Sequence, residues 1–205
     1  MDPSGRQIGE RIKHLRKERG WTLKDLSARA HVSMATLSKI ENAQVAATFD
    51  TLVKVAQGLN VGFDGLLRDA GVSRAGGRLA VTAAGEAVHF ATSMYDYAVH
   101  SVGLRRKRMI PLIMTIKARS LEDITSWSSH SGEEFIFIIK GTVRLHTEFY
   151  DVVELKAGES AYIDSAMAHA FVSVGEGEGE IISICLTSET TQAFFAAAGM
   201  HEPSV

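Results

Sequence analysis

TLKDLSARAHVSMATLSKIENA, residues 22 to 43, reads as two short amphipathic helices joined by a tight turn. Thr22 supplies a hydroxyl to cap the first helix, and Asp25, three residues on, completes a capping-box spacing. Leu23, Leu26 and Ala30 recur at i, i+3 and i+7, which places them on one face of a 3.6-residue period. Ser33 is placed to cap the second helix, while Val32, Leu37 and Ile40 turn back toward the first. That leaves Met34, Ala35, Ser38 and Lys39 facing outward. A braced helix with small and polar outward side chains fits the DNA major groove. A helical bundle that serves protein contact would show the same periodicity.

Working outward, the periodicity predicts five helices, over residues 8–18, 23–30, 34–41, 49–59 and 63–67. Three stretches, IGERIKHLRKERGWTLKDLSARA, VSMATLSKIEN and TLVKVAQGLNV, resemble the lambda-repressor-like helix-turn-helix domain, often called XRE-type. The resemblance implies a five-helix bundle and a double-stranded DNA operator as partner. In that family an arginine of the first helix commonly pairs with a glutamate ending the reading helix, and Arg16 and Glu41 stand there. His31 stands where the family usually carries Gly in a left-handed turn, a conformation that His tolerates better than most side chains. Lys39 is positioned to donate to guanine O6 and N7, with Met34 and Ala35 against a thymine methyl. Thr22, Ser33, Thr36 and Asn42 are the candidates for phosphate contact, and Ser38 shares the outward face.

Charge is divided unevenly. Residues 1–67 hold ten Lys/Arg against seven Asp/Glu, a net of +3, whereas residues 68–205 hold twelve against seventeen, a net of −5. The overall −2 therefore hides a basic part suited to phosphates and an acidic remainder that is not. A length of 205 residues accommodates one large or two small domains, each able to bury a core. The longest apolar runs fall short of a membrane span, and MDPSGRQIGE lacks a signal-peptide apolar region, so no membrane partner is expected. The single cysteine, Cys185 in IISICL, permits no internal disulfide and fits a reducing cytoplasm; as a residue it reads as a small core hydrophobe.

After Leu67 the helical period stops. Residues 68–90 read as a Gly/Ala-rich linker that becomes an entry strand over 78–88, leaving a second domain over 91–205. There, short β-branched and aromatic runs alternate with turn signals such as Gly141, Gly158 and the GEGEG tract at 175–179. Strands are predicted over 110–117, 134–140, 142–147, 161–163, 168–174 and 180–187, with a closing helix over 191–198. The fold class is thus two-domain α + β, with an antiparallel sandwich or barrel in the second half.

Two segments, SSHSGEEFIFIIKG from Ser128 to Gly141 and AGESAYIDSAMAHAF from Ala157 to Phe171, resemble the motifs of the cupin family, a small β-barrel. Cupins carry two His and a Glu in the first motif and one His in the second as metal ligands. By position His130, Glu134 and His169 match, while Ser128 replaces the first His. Independently of the resemblance, His130 and Glu134 lie four apart, on one face of an extended strand. With a His from another strand they make the two-His-one-carboxylate set suited to iron, and able to hold zinc, nickel or another divalent ion. The competing reading is a metal-free effector pocket lined by the same three side chains, hydrogen-bonded to one another.

Tyr95, Tyr97 and Tyr162 are further candidates for that pocket, with ordinary core packing as the alternative for each. The run from Arg105 to Arg108 is placed for an anion, or is simply a solvated loop. An XRE-type domain followed by a cupin resembles bacterial transcription regulators that sense small molecules. This predicts a DNA-binding regulator with a small-molecule effector, and a homodimer joined through the cupin half. The rival is a mononuclear iron enzyme of the phosphonate-epoxidase type, which shares the domain order and the triad. That branch holds its substrate with a lysine near the end of the first helix, where this chain has Gly20.

Overall fold

Side-chain caps start the three middle helices of the N-terminal half. The structure is a computed structural model and describes residues 3–67, 79–104 and 107–186. Helix α1 (Pro3–Glu18) begins five residues before its predicted start. Helix α2 (Leu23–Ala30) opens on Thr22, whose Oγ1 accepts the Asp25 N–H at 3.2 Å while Asp25 Oδ2 accepts the Thr22 N–H at 2.8 Å. It closes on His31 at φ 53° and ψ 34°, the left-handed conformation expected there. Helix α3 (Met34–Glu41) opens on Ser33, whose Oγ accepts the Thr36 N–H at 3.1 Å. Helix α4 (Phe49–Gly58) opens on Thr48, and α5 (Phe63–Leu67) follows.

These helices enclose Ile12, Leu26, Leu37, Leu52, Val55 and Leu59, none of which reaches solvent. Two glycines set how closely they pack. A Cβ on Gly9 would lie 2.3 Å from the Ile40 carbonyl oxygen, and one on Gly58 would lie 2.7 Å from the Ala30 Cβ. Helix α1 can therefore lie against α3, and α4 against α2, only because these positions lack side chains. No described helix is long and apolar enough to cross a membrane.

Among the described residues nine strands follow: β1 (Val88–Ala91), β2 (Tyr95–Val99), β3 (Met109–Ile116), β4 (Glu133–Lys140), β5 (Thr142–Thr147), β6 (Val153–Lys156), β7 (Ser160–Asp164), β8 (His169–Val174) and β9 (Gly179–Leu186). All pairings are antiparallel, in one sheet of order β1-β2-β3-β9-β4-β7 and a second of order β6-β5-β8. The sheets are joined where the Ser173 N–H donates to the Ala118 carbonyl at 2.8 Å and where Ser128 and His169 form a bridge. Ile136, Ile138, Ile181, Leu112 and Ile116 fill the space between them. The entry strand expected over 78–88 is corrected: residues 79–87 form no strand, and the first begins at Val88. Leu79 and Val81 there are exposed, so their apolar character reports no buried face. The helix expected over 191–198 and the Arg105-Arg106 pair lie outside the described residues.

The two halves touch through the start of α4. The Phe49 ring packs between Phe63 of its own domain, at 5.1 Å between centroids, and Tyr97 and His130 of the sheet domain, at 6.2 and 5.5 Å. Beside it, Asp50 Oδ2 accepts the Ser129 N–H at 2.8 Å.

Candidate functional site

Two sites emerge from the chain, one on each half. On the first, α3 presents Met34, Ala35 and Lys39 to solvent, with Met34 51% exposed. Ser38 and Thr36 are half-buried on the same helix, while Thr22, Ser33 and Asn42 are exposed around it. Ser33 and Thr36 are 2.8 Å apart through their hydroxyls, and the Asn42 amide donates to the Ser38 carbonyl at 2.9 Å. Thr22 is held by Asp25, to which both its N–H and its hydroxyl donate.

What steadies this helix is the pair that the family resemblance implied. The Arg16 Nε and Nη2 donate to the two carboxylate oxygens of Glu41, each at 2.7 Å, and Nη1 donates to the Trp21 carbonyl at 2.7 Å. Both side chains are buried. Two parallel charge-assisted bonds fix orientation as well as distance, so the end of α3 is bolted to α1.

The second site lies between the sheets. Alternation along β4 turns Glu134 inward and Glu133 and Phe135 outward. Glu134 is paired across the ladder with Cys185 of β9, and Ser183, two residues earlier on that strand, faces the same way. His130 approaches from the loop before β4 and His169 from the start of β8. Their Nε2 atoms lie 3.4 and 3.3 Å from the same oxygen, Glu134 Oε2, and the Ser183 hydroxyl donates to Oε1 at 2.6 Å. His130, Glu134 and His169 are 4%, 2% and 1% exposed. The three candidate ligands are thus brought together from two separate segments, with His130 in the loop just before β4 rather than on one strand with Glu134 as expected.

Burial alone would raise the Glu134 carboxyl, but the hydrogen bonds and charge of the two imidazoles outweigh it and hold the group well below the usual carboxylate range. Burial works against the charge of His169 too, and the hydrogen bond to Glu134 outweighs it, leaving that imidazole raised from 6.5. The His169 Nδ1 meets the Met167 carbonyl at 2.9 Å, which places the ring proton on Nδ1 and frees Nε2 as a donor atom.

These residues fit a divalent metal. Metal ligands at about 2.05 Å and tetrahedral angles stand about 3.3 Å apart, the spacing that each imidazole Nε2 keeps from Glu134 Oε2, but the described group whose donor atoms all lie within 4.8 Å of one another is His130, Glu134 and Cys185, without His169. The buried thiol of Cys185 also has its sulfur within 4.8 Å of donor atoms of His130 and Glu134. Burial pushes that thiol well above its ordinary range. The sequence marked Cys185 only as a core hydrophobe; the signal that was available is its even spacing from Ser183 on a strand beside Glu134. Ser128, standing where cupins carry a further His, pairs through its backbone with His169 and so ties the two motifs together.

The three tyrosines divide. Tyr95 is buried, donates its hydroxyl to the Phe171 carbonyl at 3.2 Å and accepts the Phe171 N–H at 3.1 Å; burial pushes it up to about 12. Tyr97 is buried and stacked on Phe90 at 4.4 Å. Both are core residues next to the triad. Tyr162 is 64% exposed and pairs with outward-facing Phe135, so its placement in the inner pocket is corrected. It borders an external cleft of about 600 Å³ together with Leu145, Tyr150 and Met167.

Comparison with known proteins agrees with both halves. Residues 12–66 match the helix-turn-helix family and residues 114–185 the cupin domain family. Over 63 residues the chain is 41% identical to the HTH-type transcriptional regulator SutR of Escherichia coli K12, which covers 31% of this chain and 35% of that one. Over 98 residues it is 28% identical to the (S)-2-hydroxypropylphosphonic acid epoxidase of Streptomyces wedmorensis, covering 43% of this chain and 48% of that one. The chain thus spans about half the length of one relative and about a third of the other. A helix-turn-helix transcriptional regulator from Vibrio cholerae superposes with a TM-score of 0.62 at 21% identity, over 89% of this chain and 96% of that one, and shares the fold. The chain is a helix-turn-helix protein of the XRE type with a C-terminal cupin domain.

Proposed function

We propose that the chain is a sequence-specific DNA-binding transcriptional regulator, acting in the cytoplasm as a homodimer, whose cupin half binds a small-molecule effector at a divalent metal held by His130, Glu134 and His169. The observation that carries this reading is the exposed outer face of α3, with Met34, Ala35 and Lys39 outward on a helix fixed by the buried Arg16–Glu41 pair. A rigid, correctly capped helix with a cationic outward residue suits direct base readout. The metal would supply open coordination positions for a polar effector. The test is to sequence the fragments of its own genome that the purified protein retains. A recurring short sequence among them is the expected result; retention without sequence preference refutes the reading.

A second reading has its own support. The inward two-His-one-Glu set and the 28% identity over 98 residues favour an iron-dependent oxidoreductase related to the epoxidase. Against it, Gly20 adopts φ 69°, a conformation that favours glycine, so the matching position suits a turn better than a substrate-holding lysine. Substrate-dependent oxygen consumption by iron-loaded protein, lost in Glu134→Ala, would decide for the enzyme.

A further inference from the structure

Three buried side-chain polar atoms among the described residues have no hydrogen-bond partner: Asp50 Oδ1, His130 Nδ1 and Ser165 Oγ. They belong to one neighbourhood. Asp50 Oδ2 accepts the N–H of Ser129, the residue before His130; the ring of Phe49, the residue before Asp50, lies edge-on to the His130 imidazole; and the His130 N–H donates to the Ser165 carbonyl at 2.9 Å. A buried polar atom left unpaired forfeits its hydration with nothing in return, so three in one place call for a shared explanation.

The two imidazoles of the triad differ in this respect. A histidine that offers one nitrogen to a metal generally donates its other N–H to a carbonyl or a carboxylate, which fixes the tautomer and the ring orientation. For His169 that partner is the Met167 carbonyl. For His130 Nδ1 no partner is made among the described residues. Of the two neighbouring oxygens, the Ser165 hydroxyl needs an acceptor of its own, whereas the Asp50 carboxylate is an acceptor only.

We propose that Asp50, from the DNA-binding half, becomes the positioning residue for His130 when a metal binds: its Oδ1, unpartnered in this structure, then accepts the Nδ1–H of the imidazole and so turns the Nε2 lone pair toward the metal held with Glu134. In that state the Ser165 hydroxyl, also unpartnered here, completes the group by donating to the same carboxylate. The inference rests on the metal-binding reading of the triad and does not depend on DNA binding. Its consequence is that metal loading of the cupin site and docking of the DNA-binding half become a single equilibrium. Separating the halves withdraws the carboxylate that orients a ligand, and by reciprocity a bound metal strengthens the seam.

Asp50→Asn tests it. The amide keeps an acceptor for the Ser129 N–H but sets an NH₂ group where Oδ1 stood, donor against donor. The imidazole relieves this by moving its proton to Nε2, which removes the lone pair a metal needs. Zinc affinity, titrated against a chromophoric chelator, should fall about 10- to 100-fold, while Ser165→Ala, which keeps the carboxylate, should stay close to the parent. Unchanged affinity in Asp50→Asn, or an equal loss in Ser165→Ala, overturns the proposal. The zinc-loaded parent gives a check that no folding defect can confuse: nitrogen-15 spectra of its histidine rings should show His130 protonated at Nδ1 and metal-bound at Nε2. An Nδ1-bound metal, or a parent that takes up no zinc, overturns it as well. The two readings fail separately, since loss of zinc affinity in Asp50→Asn supports the inference even in a chain that selects no DNA.

Discussion

Removing either partner of the Arg16–Glu41 pair should destabilise the helix-turn-helix domain far more than removing both. The guanidinium makes three bonds of 2.7 Å, two to Glu41 and one to the Trp21 carbonyl, and its side chain is 10% exposed against 3% for Glu41. Breaking a buried ion pair from one side costs about 3–5 kcal/mol, most of it the penalty of stranding the other charge. In Glu41→Ala the arginine keeps Trp21 and its sliver of solvent, so the lower end applies, about 3 kcal/mol. In Arg16→Ala the deeper carboxylate loses its counter-ion and both strong donors, so the upper end applies, about 5 kcal/mol. Replacing both residues, as in Arg16→Met with Glu41→Leu, strands no charge and should come within about 1 kcal/mol of the parent. Urea unfolding followed by helical circular dichroism measures all four proteins, and the singles should also lose roughly 4–8 °C of melting temperature per kcal/mol. Single variants within about 1 kcal/mol of the parent, or a double variant as unstable as the sum of the singles, would refute the argument.

Three further outcomes are expected. Lys39→Ala should weaken operator binding by about 1–3 kcal/mol and relax preference at one base pair in a competition assay; equal weakening on every sequence would move Lys39 to the phosphates. His31→Gly should raise stability by about 1 kcal/mol, because φ 53° is strained for any side chain; a lower unfolding midpoint would show that His31 makes compensating contacts. Zinc affinity should fall as pH drops, since a ligand must be unprotonated to bind and the His169 imidazole, raised from 6.5, meets proton competition already above that pH. An affinity that stays flat between about pH 8 and pH 6 would contradict that assignment.

The helical half was legible almost residue by residue, because its signals are local. Thr22, Ser33 and the apolar triplets fix α2 and α3 to the residue, and the capping box forms as spaced. The sheet half was legible where strands are long and half-buried, as in β3, β4 and β9. It failed at β6, where Val153, Glu154 and Lys156 leave Leu155 as the sole buried residue of a short strand at the sheet's edge. The triad could be assembled because family resemblance supplied the distant His169. Tyr162 was misplaced because closeness to a motif along the chain says nothing about which face a residue takes. One step along β7, at Ile163, the strand turns inward opposite Glu134. The role of Asp50 left no trace in the sequence, since no local pattern announces a contact between residues 79 positions apart.

The tight approach of α1 to α3 at Gly9 has a consequence for how such a chain can change over generations. With the Ile40 carbonyl against Gly9 and Glu41 gripped by Arg16, α3 has no slack in which to roll or slide on its own. Whatever reaches this half through Phe49 and Asp50 can move it only as a whole. In the regulator proposed above, the target would be written in the outward residues of α3 and the stimulus in the other half. A substitution on the outer face of α3 changes the target without altering the stimulus, and one between the sheets does the reverse, so the two traits can drift independently.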